Sequence, residues 1–103
     1  MAQFQTVCKT DDIPEGSGRM FVVDEQPIGI FRVDGQFFAL DNRCPHAGAS
    51  LAHGIVEGNT VACRIHHWRF CIRDGRYLDE TKPEYDVRCY PICVVGQDVQ
   101  VEI

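Results

Sequence analysis

The sequence predicts an all-β fold of antiparallel strands. Turn signals recur about every eight to twelve residues, and the short runs between them are apolar or alternate between apolar and polar residues. No stretch shows a convincing helical period. At 103 residues and 11.7 kDa, the chain is expected to form one domain without internal repeats or linkers.

The first half of the chain is predicted to contain an edge strand at Phe4–Cys8, followed by a loop over Asp11–Gly18 that is rich in Asp, Pro and Gly. Three further strands are then predicted, at Met20–Val23, Ile28–Val33 and Gln36–Leu40. Asp24–Pro27 is interpreted as the turn between the first two of them. Asp34-Gly35 predicts a tight hairpin between the other two, because both positions accept positive φ.

The second half is predicted to contain three hairpins. Ile55–Glu57 and Thr60–Cys63 are expected to pair around Gly58-Asn59. Arg69–Ile72 is expected to pair with Arg76–Leu78 around Asp74-Gly75, and a polar loop follows over Asp79–Glu84. The last hairpin joins Val87–Val95 to Asp98–Ile103.

Two short Cys/His pairs, Cys44-Pro45-His46 and Cys63-Arg64-Ile65-His66, lie between these strands and indicate one metal site. Two tight loops that meet would supply four ligands to it. Thiolate and imidazole ligands suit either zinc or an iron–sulfur cluster, so the ligand count alone does not decide between them.

The residues around the two pairs read C-P-H-x-G-x-x-L-x-x-G and C-x-x-H-x-W-x-F, a pattern that also includes Gly48, Leu51, Gly54, Trp68 and Phe70. This pattern closely resembles the Rieske [2Fe-2S] family. The resemblance implies one [2Fe-2S] cluster in which two His replace two Cys on one iron. By that resemblance Cys44 and Cys63 would bind the buried iron and His46 and His66 the outer iron.

The resemblance also implies an architecture, namely a strand-rich base with an inserted cluster-binding sub-domain at about residues 42–77. Pro45, Gly48, Trp68 and Phe70 would surround the cluster. We expect Pro45 to stiffen the first ligand loop and Gly48 to let the backbone pass near the sulfur atoms.

This chain departs from the pattern of many relatives at Arg64 and His67, where Pro and Gly are usual. The adjacent histidines raise a question of register, and the Cys-x-x-His spacing selects His66 as the ligand. His67 is then expected to be an exposed neighbour, and His53 a surface residue. Trp68 and Phe70 carry no hydroxyl group where high-potential relatives do, so a low potential of about −150 mV is expected.

These features resemble the ferredoxin component of bacterial ring-hydroxylating oxygenase systems and the small subunit of cytoplasmic nitrite reductase. The leading hypothesis is a one-electron carrier, not itself an enzyme, that passes electrons from a reductase to a terminal oxygenase or similar enzyme. One alternative is a non-dissociating subunit of a nitrite-reductase-like complex. Another is an interaction module stabilised by zinc. Retention of all four ligands favours the carrier.

Charge and composition limit the possible partners and the possible location. The net charge of −5 argues against a nucleic-acid partner. Between Arg43 and Arg76, however, five basic and two acidic residues give +3, which leaves −8 elsewhere. Arg43, Arg64 and Arg69 are therefore candidates for docking an acidic partner, with ordinary solvated side chains as the alternative.

No apolar run approaches the roughly 20 residues needed to span a membrane, and the N-terminus has no signal-peptide pattern. A cytoplasmic protein without a membrane partner, monomeric when it is free, is therefore expected. Disulfides are not expected in that compartment. The four cysteines outside the ligand pairs are predicted to be buried free thiols: Cys8, Cys71, Cys89 and Cys93.

Overall fold

The computed structural model describes residues 3–45, 48–65 and 67–103. These residues form ten β-strands and three 3-10 turns, with no α-helix among them. The strands are β1 Phe4–Lys9, β2 Ser17–Val23, β3 Gln26–Val33, β4 Gln36–Asp41, β5 Ile55–Glu57, β6 Thr60–Ala62, β7 Arg69–Cys71, β8 Cys89–Tyr90, β9 Ile92–Val95 and β10 Asp98–Glu102. The 3-10 turns are Thr10–Asp12, Leu51–His53 and Pro83–Tyr85.

The strands of the described residues form three sheets, in the orders β1-β10-β9, β2-β3-β4-β8 and β5-β6-β7. Every pairing in them is antiparallel, so the predicted all-β antiparallel fold is confirmed. The sheet of β5, β6 and β7 comes from the chain between β4 and β8, within the predicted insert. In the described part of the chain, no helix is long and apolar enough to cross a membrane.

Two tight turns build the sheet of β2, β3 and β4. Asp34 and Gly35 have φ of 53° and 72°, which confirms the predicted hairpin. The preceding turn is shorter than predicted, because Asp24 and Glu25 both adopt positive φ and close a two-residue loop. Pairing therefore begins at once, and Gln26 and Pro27 belong to β3 rather than to the turn.

The segment predicted as one strand over Val87–Val95 is divided in the structure. Pro91, which has no N–H to donate, separates β8 from β9. Strand β8 pairs with β4, whereas β9 pairs with β10, so the two halves join different sheets. Arg76–Leu78 pairs back on β7 as predicted, but only through a single bridge between Phe70 and Tyr77.

The sheet of β2, β3, β4 and β8 separates two hydrophobic cores, because side chains alternate between its faces. On one face, Ile28, Ile30 and Ala39 join the base core, whose other buried members are Cys8, Ile13, Val23, Tyr90, Val99 and Val101. On the other face, Phe31, Val33 and Leu40 join the site core, whose other buried members are Cys44, Leu51, Val61, Cys63, Phe70, Ile72, Tyr77 and Val87.

Candidate metal centre

The two cysteines of the predicted ligand pairs lie in the same core. Cys44 is 1% exposed and Cys63 is fully buried, and both belong to the site core. His46 and His66 lie outside the described residues. The structure therefore brings together the two thiols that the sequence singled out, and the assignment of the two histidines stays a prediction.

A tight turn carries the first ligand pair. The backbone N–H of Cys44 donates to the carbonyl of Ala49 at 2.9 Å, and the N–H of Gly48 donates to the carbonyl of Cys44 at 2.7 Å. Gly48 has φ of 68°, a conformation that glycine adopts without strain, so this geometry gives the glycine a backbone role. Pro45 is exposed on the turn, where its fixed φ limits the loop.

The second ligand pair lies in the connection between β6 and β7. The N–H of Cys63 donates to the carbonyl of Trp68 at 2.8 Å, which closes the loop. His67 within it has φ of 57° and is exposed as predicted, while its exclusion from the ligand set stays a prediction. His53, in the 3-10 turn after the first loop, is also exposed as predicted.

Asn42 supports the first loop and was missed in the sequence. It is 4% exposed, and its side-chain amide donates to Ser50 Oγ while its Oδ1 accepts from the N–H of Ala52, both at 2.8 Å. Its backbone N–H donates to the carbonyl of Pro27 on β3. A buried amide with all these partners fixes the loop to the base sheet. The only sign of this role in the sequence is the position of Asn42, which lies between a predicted strand and Cys44.

Gly54 of the sequence pattern is explained by close packing rather than by its backbone angles. Its φ of −75° suits any residue, but a Cβ at this position would collide with the carbonyl of Ala62, directly before Cys63. Glycine therefore lets the turn after the first ligand loop lie against the strand that leads to the second. Leu51, in the same turn, is fully buried in the site core.

Four aromatic side chains cover the second loop. Trp68 lies with its ring centroid 4.8 Å from that of Tyr77 and 5.0 Å from that of Tyr85, and Phe70 lies 5.5 Å from Tyr77. Phe70 is fully buried. Burial raises the pKa of Tyr77 above its ordinary value. Tyr77 and Tyr85 were missed because they are distant in sequence from the ligand pairs.

The three candidate docking arginines differ in their partners. Arg43 pairs with Asp41 at 3.3 Å and Arg69 with Asp79 at 2.7 Å. The Arg64 guanidinium instead donates to the backbone carbonyl of His53. The two aspartates lie just outside the basic segment counted in the sequence. The net charge is +3 over residues 43–76, and it is +1 over residues 41–79, which include the two aspartates.

The remaining cysteines only partly match the prediction of buried free thiols. Cys8, Cys71, Cys89 and Cys93 are free thiols, but only Cys8 is buried, and that burial raises its pKa to about 11. Cys71 and Cys93 are half-buried, and for Cys89 the prediction is wrong because it is exposed. Cys89 lies on β8, a two-residue strand at the edge of the base sheet, so only one side of the strand is covered by a neighbouring strand.

This arrangement fits an iron–sulfur cluster. Two buried thiols on two loops of one core provide the thiolate half of the predicted ligand set, and thiolates are the ligands that such clusters use. The loops are held by backbone hydrogen bonds and by the side chain of Asn42. Fold and site together define a small antiparallel β domain with a thiolate metal centre.

Comparison with known proteins identifies the family. The model of the Rieske [2Fe-2S] domain matches residues 3–91, so the chain belongs to the Rieske [2Fe-2S] family. Its cofactor is a single [2Fe-2S] cluster, which supplies reversible uptake of one electron. The resemblance seen in the sequence is confirmed.

Three similar proteins indicate the kind of Rieske protein. The biphenyl dioxygenase ferredoxin subunit of Pseudomonas sp. strain KKS102 is 36% identical over 96% of this chain and 91% of its own. The ferredoxin of carbazole 1,9a-dioxygenase from Nocardioides aromaticivorans IC177 superposes with a TM-score of 0.87 at 27% identity, over 96% of both chains. A proposed NADH-dependent nitrite reductase small subunit from Mycobacterium tuberculosis gives 0.89 at 29% identity, over all of this chain and 96% of that one.

Proposed function

We propose that this chain is the ferredoxin component of an oxygenase system, a one-electron carrier between a reductase and a terminal oxygenase. The observation that carries the proposal is the extent of similarity to a dioxygenase ferredoxin subunit, which covers nearly the whole of both chains. The similar proteins are ferredoxin components of oxygenase systems, which transfer electrons and leave catalysis to another component. By this similarity the protein is an electron carrier and not itself an enzyme.

The described geometry supports this role. Cys44 and Cys63 would hold the cluster from the buried side through their thiolates, while His46 and His66 would bind toward the surface. Exposed residues of the second loop, including Ile65 and His67, lie next to that predicted surface side. The chain's own residues thus shield one side of the cofactor in the site core and leave the ligand loops accessible to a partner.

A second candidate is a fixed subunit of a nitrite-reductase-like complex. The structural likeness to the proposed nitrite reductase small subunit extends over this entire chain and favours it. The two roles differ in how long the partner stays bound, because a carrier has to leave one partner before it reaches the next.

Partner exchange under salt separates the two candidates. The tagged holoprotein is captured from native lysate and washed with rising salt, while coulometric titration counts electrons per chain. A carrier takes up and returns one electron and loses its partner above about 0.1 M salt, where the screening length is about 10 Å. A partner retained at fixed stoichiometry through high salt would establish the subunit. Zinc instead of iron would reject both.

We also propose that the protein works in the cytoplasm. Cys89 supports this location, because it is an exposed residue with a thiol outside any disulfide, and a reducing compartment keeps such residues from forming mixed disulfides. Fractionation of the native host, followed by detection of the protein, tests it. Recovery from the periplasm would contradict the proposal.

A further inference from the structure

Among the described residues, Arg64 is the candidate docking arginine that forms no ion pair. Its guanidinium is held by the carbonyl of His53, a neutral acceptor, and it forms no ion pair in the described part of the chain. Arg43 and Arg69 each have a guanidinium already bound to an aspartate. Arg64 therefore combines a fixed position, a full positive charge and donors still available for another group.

Arg64 lies at a groove between the ligand loops and the base. The groove has a volume of about 300 Å³, and its walls include Gly16, Ser17 and Gly18 at the start of β2 and His53 and Gly54 after the first ligand loop. None of the described residues that line it is acidic. By contrast, the larger cavity of about 520 Å³ formed by residues 76–86 is lined by three carboxylates. An anion entering the groove at Arg64 therefore meets a cation, and it meets no carboxylate among the described lining residues.

We propose that the electron-transfer partner places the carboxylate of an Asp or Glu side chain in this groove, on the guanidinium of Arg64. This inference rests on the proposed carrier function and names the chemistry of the partner. Ile65 follows Arg64 and is 44% exposed, so it offers an apolar contact beside the charge. The docking surface then extends from the second ligand loop onto the start of β2.

A side chain fixed on a protein suits this groove better than a free anion does. One guanidinium in an open groove of small residues supplies few donors, whereas tight binding of free phosphate uses several charge-assisted hydrogen bonds. A carboxylate on a partner surface gains the rest of its affinity from surrounding contacts such as Ile65. The charge at Arg64 then acts mainly on the rate and orientation of encounter.

Two small redox probes of opposite charge test the inference on the holoprotein. Stopped-flow absorbance follows oxidation of the reduced protein by hexacyanoferrate(III), an anion, and by hexaamminecobalt(III), a cation, at about 0.01 M ionic strength, where the screening length is about 30 Å. Arg64→Gln is expected to lower the rate of oxidation by the anion about threefold and to raise the rate of oxidation by the cation. Voltammetry of the same proteins shows whether the substitution changes the reduction potential or only the rate at which probe and protein meet.

Arg88→Gln is the matched control. Arg88 is exposed, also forms no ion pair in the described part of the chain, and precedes β8, at the opposite edge of the base sheet from β2. This substitution removes the same charge from a position outside the groove, and we expect it to change both rates less than Arg64→Gln does. Equal effects of the two substitutions, or no effect of Arg64→Gln, would overturn the inference.

Phosphate distinguishes the source of the anion. Replacing chloride with millimolar inorganic phosphate at matched ionic strength should leave the difference between the parent and Arg64→Gln unchanged. If phosphate removes the difference, the groove is a site for a free anion and the partner carboxylate is rejected. A parent protein that binds no cluster, or that reduces neither probe, would instead reject the proposed carrier function.

Discussion

The two cores on either side of the base sheet are built differently. The base core is made mainly of aliphatic side chains from strands of up to eight residues, which pair along most of their length. The site core is covered by β5, β6 and β7, which have three residues each. Two of its buried side chains are thiols expected to bind iron. The base core is therefore complete as a protein core, whereas the site core includes ligands that need a metal.

This difference indicates what the cofactor does for stability. Short strands lose much of their pairing to fraying ends, so the β5-β6-β7 sheet depends on the loops that connect it. A cluster bound by both ligand loops would crosslink Cys44 and Cys63 and stabilise that arrangement. The base has its own hairpins and does not contain either loop. We therefore expect the two regions to respond differently to loss of the cluster.

Removal of a ligand is expected to have the largest effect. Cys63→Ser should prevent cluster binding, and amide hydrogen exchange should become fast in β5, β6 and β7 while β3 and β4 keep their protection. Cys93→Ser is the control, because Cys93 is a half-buried free thiol on β9 and its variant should retain the cluster. Uniform loss of protection in Cys63→Ser would show that the two regions unfold as one unit.

Matched cavities in the two cores should separate stability from cluster retention. Leu51 in the site core and Ile30 in the base core are both fully buried, so replacing either with Ala should cost about 2–5 kcal/mol in the free energy of unfolding. At a temperature below the unfolding transitions of both variants, Leu51→Ala should also lose the visible absorbance of the cluster faster than Ile30→Ala. Equal rates of bleaching would contradict the comparison.

A smaller effect is expected from two glycine substitutions. In Gly54→Ala the new Cβ collides with the carbonyl of Ala62, which should cost about 1–3 kcal/mol in the free energy of unfolding. In Gly96→Ala the new Cβ meets no neighbour, and only the strain of its φ of 62° should cost about 1–2 kcal/mol. Both should lower the melting temperature. Only Gly54→Ala should speed loss of the cluster, since Gly96 lies in the turn between β9 and β10. Faster loss of the cluster in Gly96→Ala would show that the turn between β9 and β10 also stabilises the site.

The smallest expected effect concerns the β3–β4 turn in the base. The pKa of Glu15 is lowered because its carboxylate accepts hydrogen bonds from the N–H groups of Gly35 and Asp34, both at 2.7 Å. A lowered pKa in the folded state stabilises the protein above the ordinary value of 4.5, and this contribution disappears as pH falls through the folded value. Urea unfolding of Glu15→Gln should therefore differ from the parent at pH 7 and converge with it in acid. A difference that is independent of pH would exclude this origin.

Local signals in the sequence predicted much of the fold. Asp34-Gly35 predicted its hairpin because the turn type depends on two adjacent residues. The division at Pro91 was missed because apolar residues on both sides look like one strand. Which sheet each half joins depends on β4 and β10, far away in the chain. Pairing partners of that kind are not encoded by a local pattern.

The site shows the same limit. The Cys/His spacing predicted two thiols in one core, because metal ligands have to lie close together. It did not predict the burial of Asn42, which depends on contacts with β3 and with the turn after the loop. The charge count of the basic segment also omitted Asp41 and Asp79, which neutralise two of its arginines in space. The assignment of His46 and His66 still rests on spacing.

Electron paramagnetic resonance of the reduced protein tests the central claim most directly. A [2Fe-2S] cluster bound by two Cys and two His should give a rhombic signal whose average g lies below the free-electron value, with two irons and two sulfides per chain. The signal should persist in His67→Ala, whose side chain is exposed in the structure, and disappear in His66→Ala. An average g at or above the free-electron value would reject the Rieske cluster. Loss of the signal in His67→Ala with retention in His66→Ala would show that the ligand register is wrong.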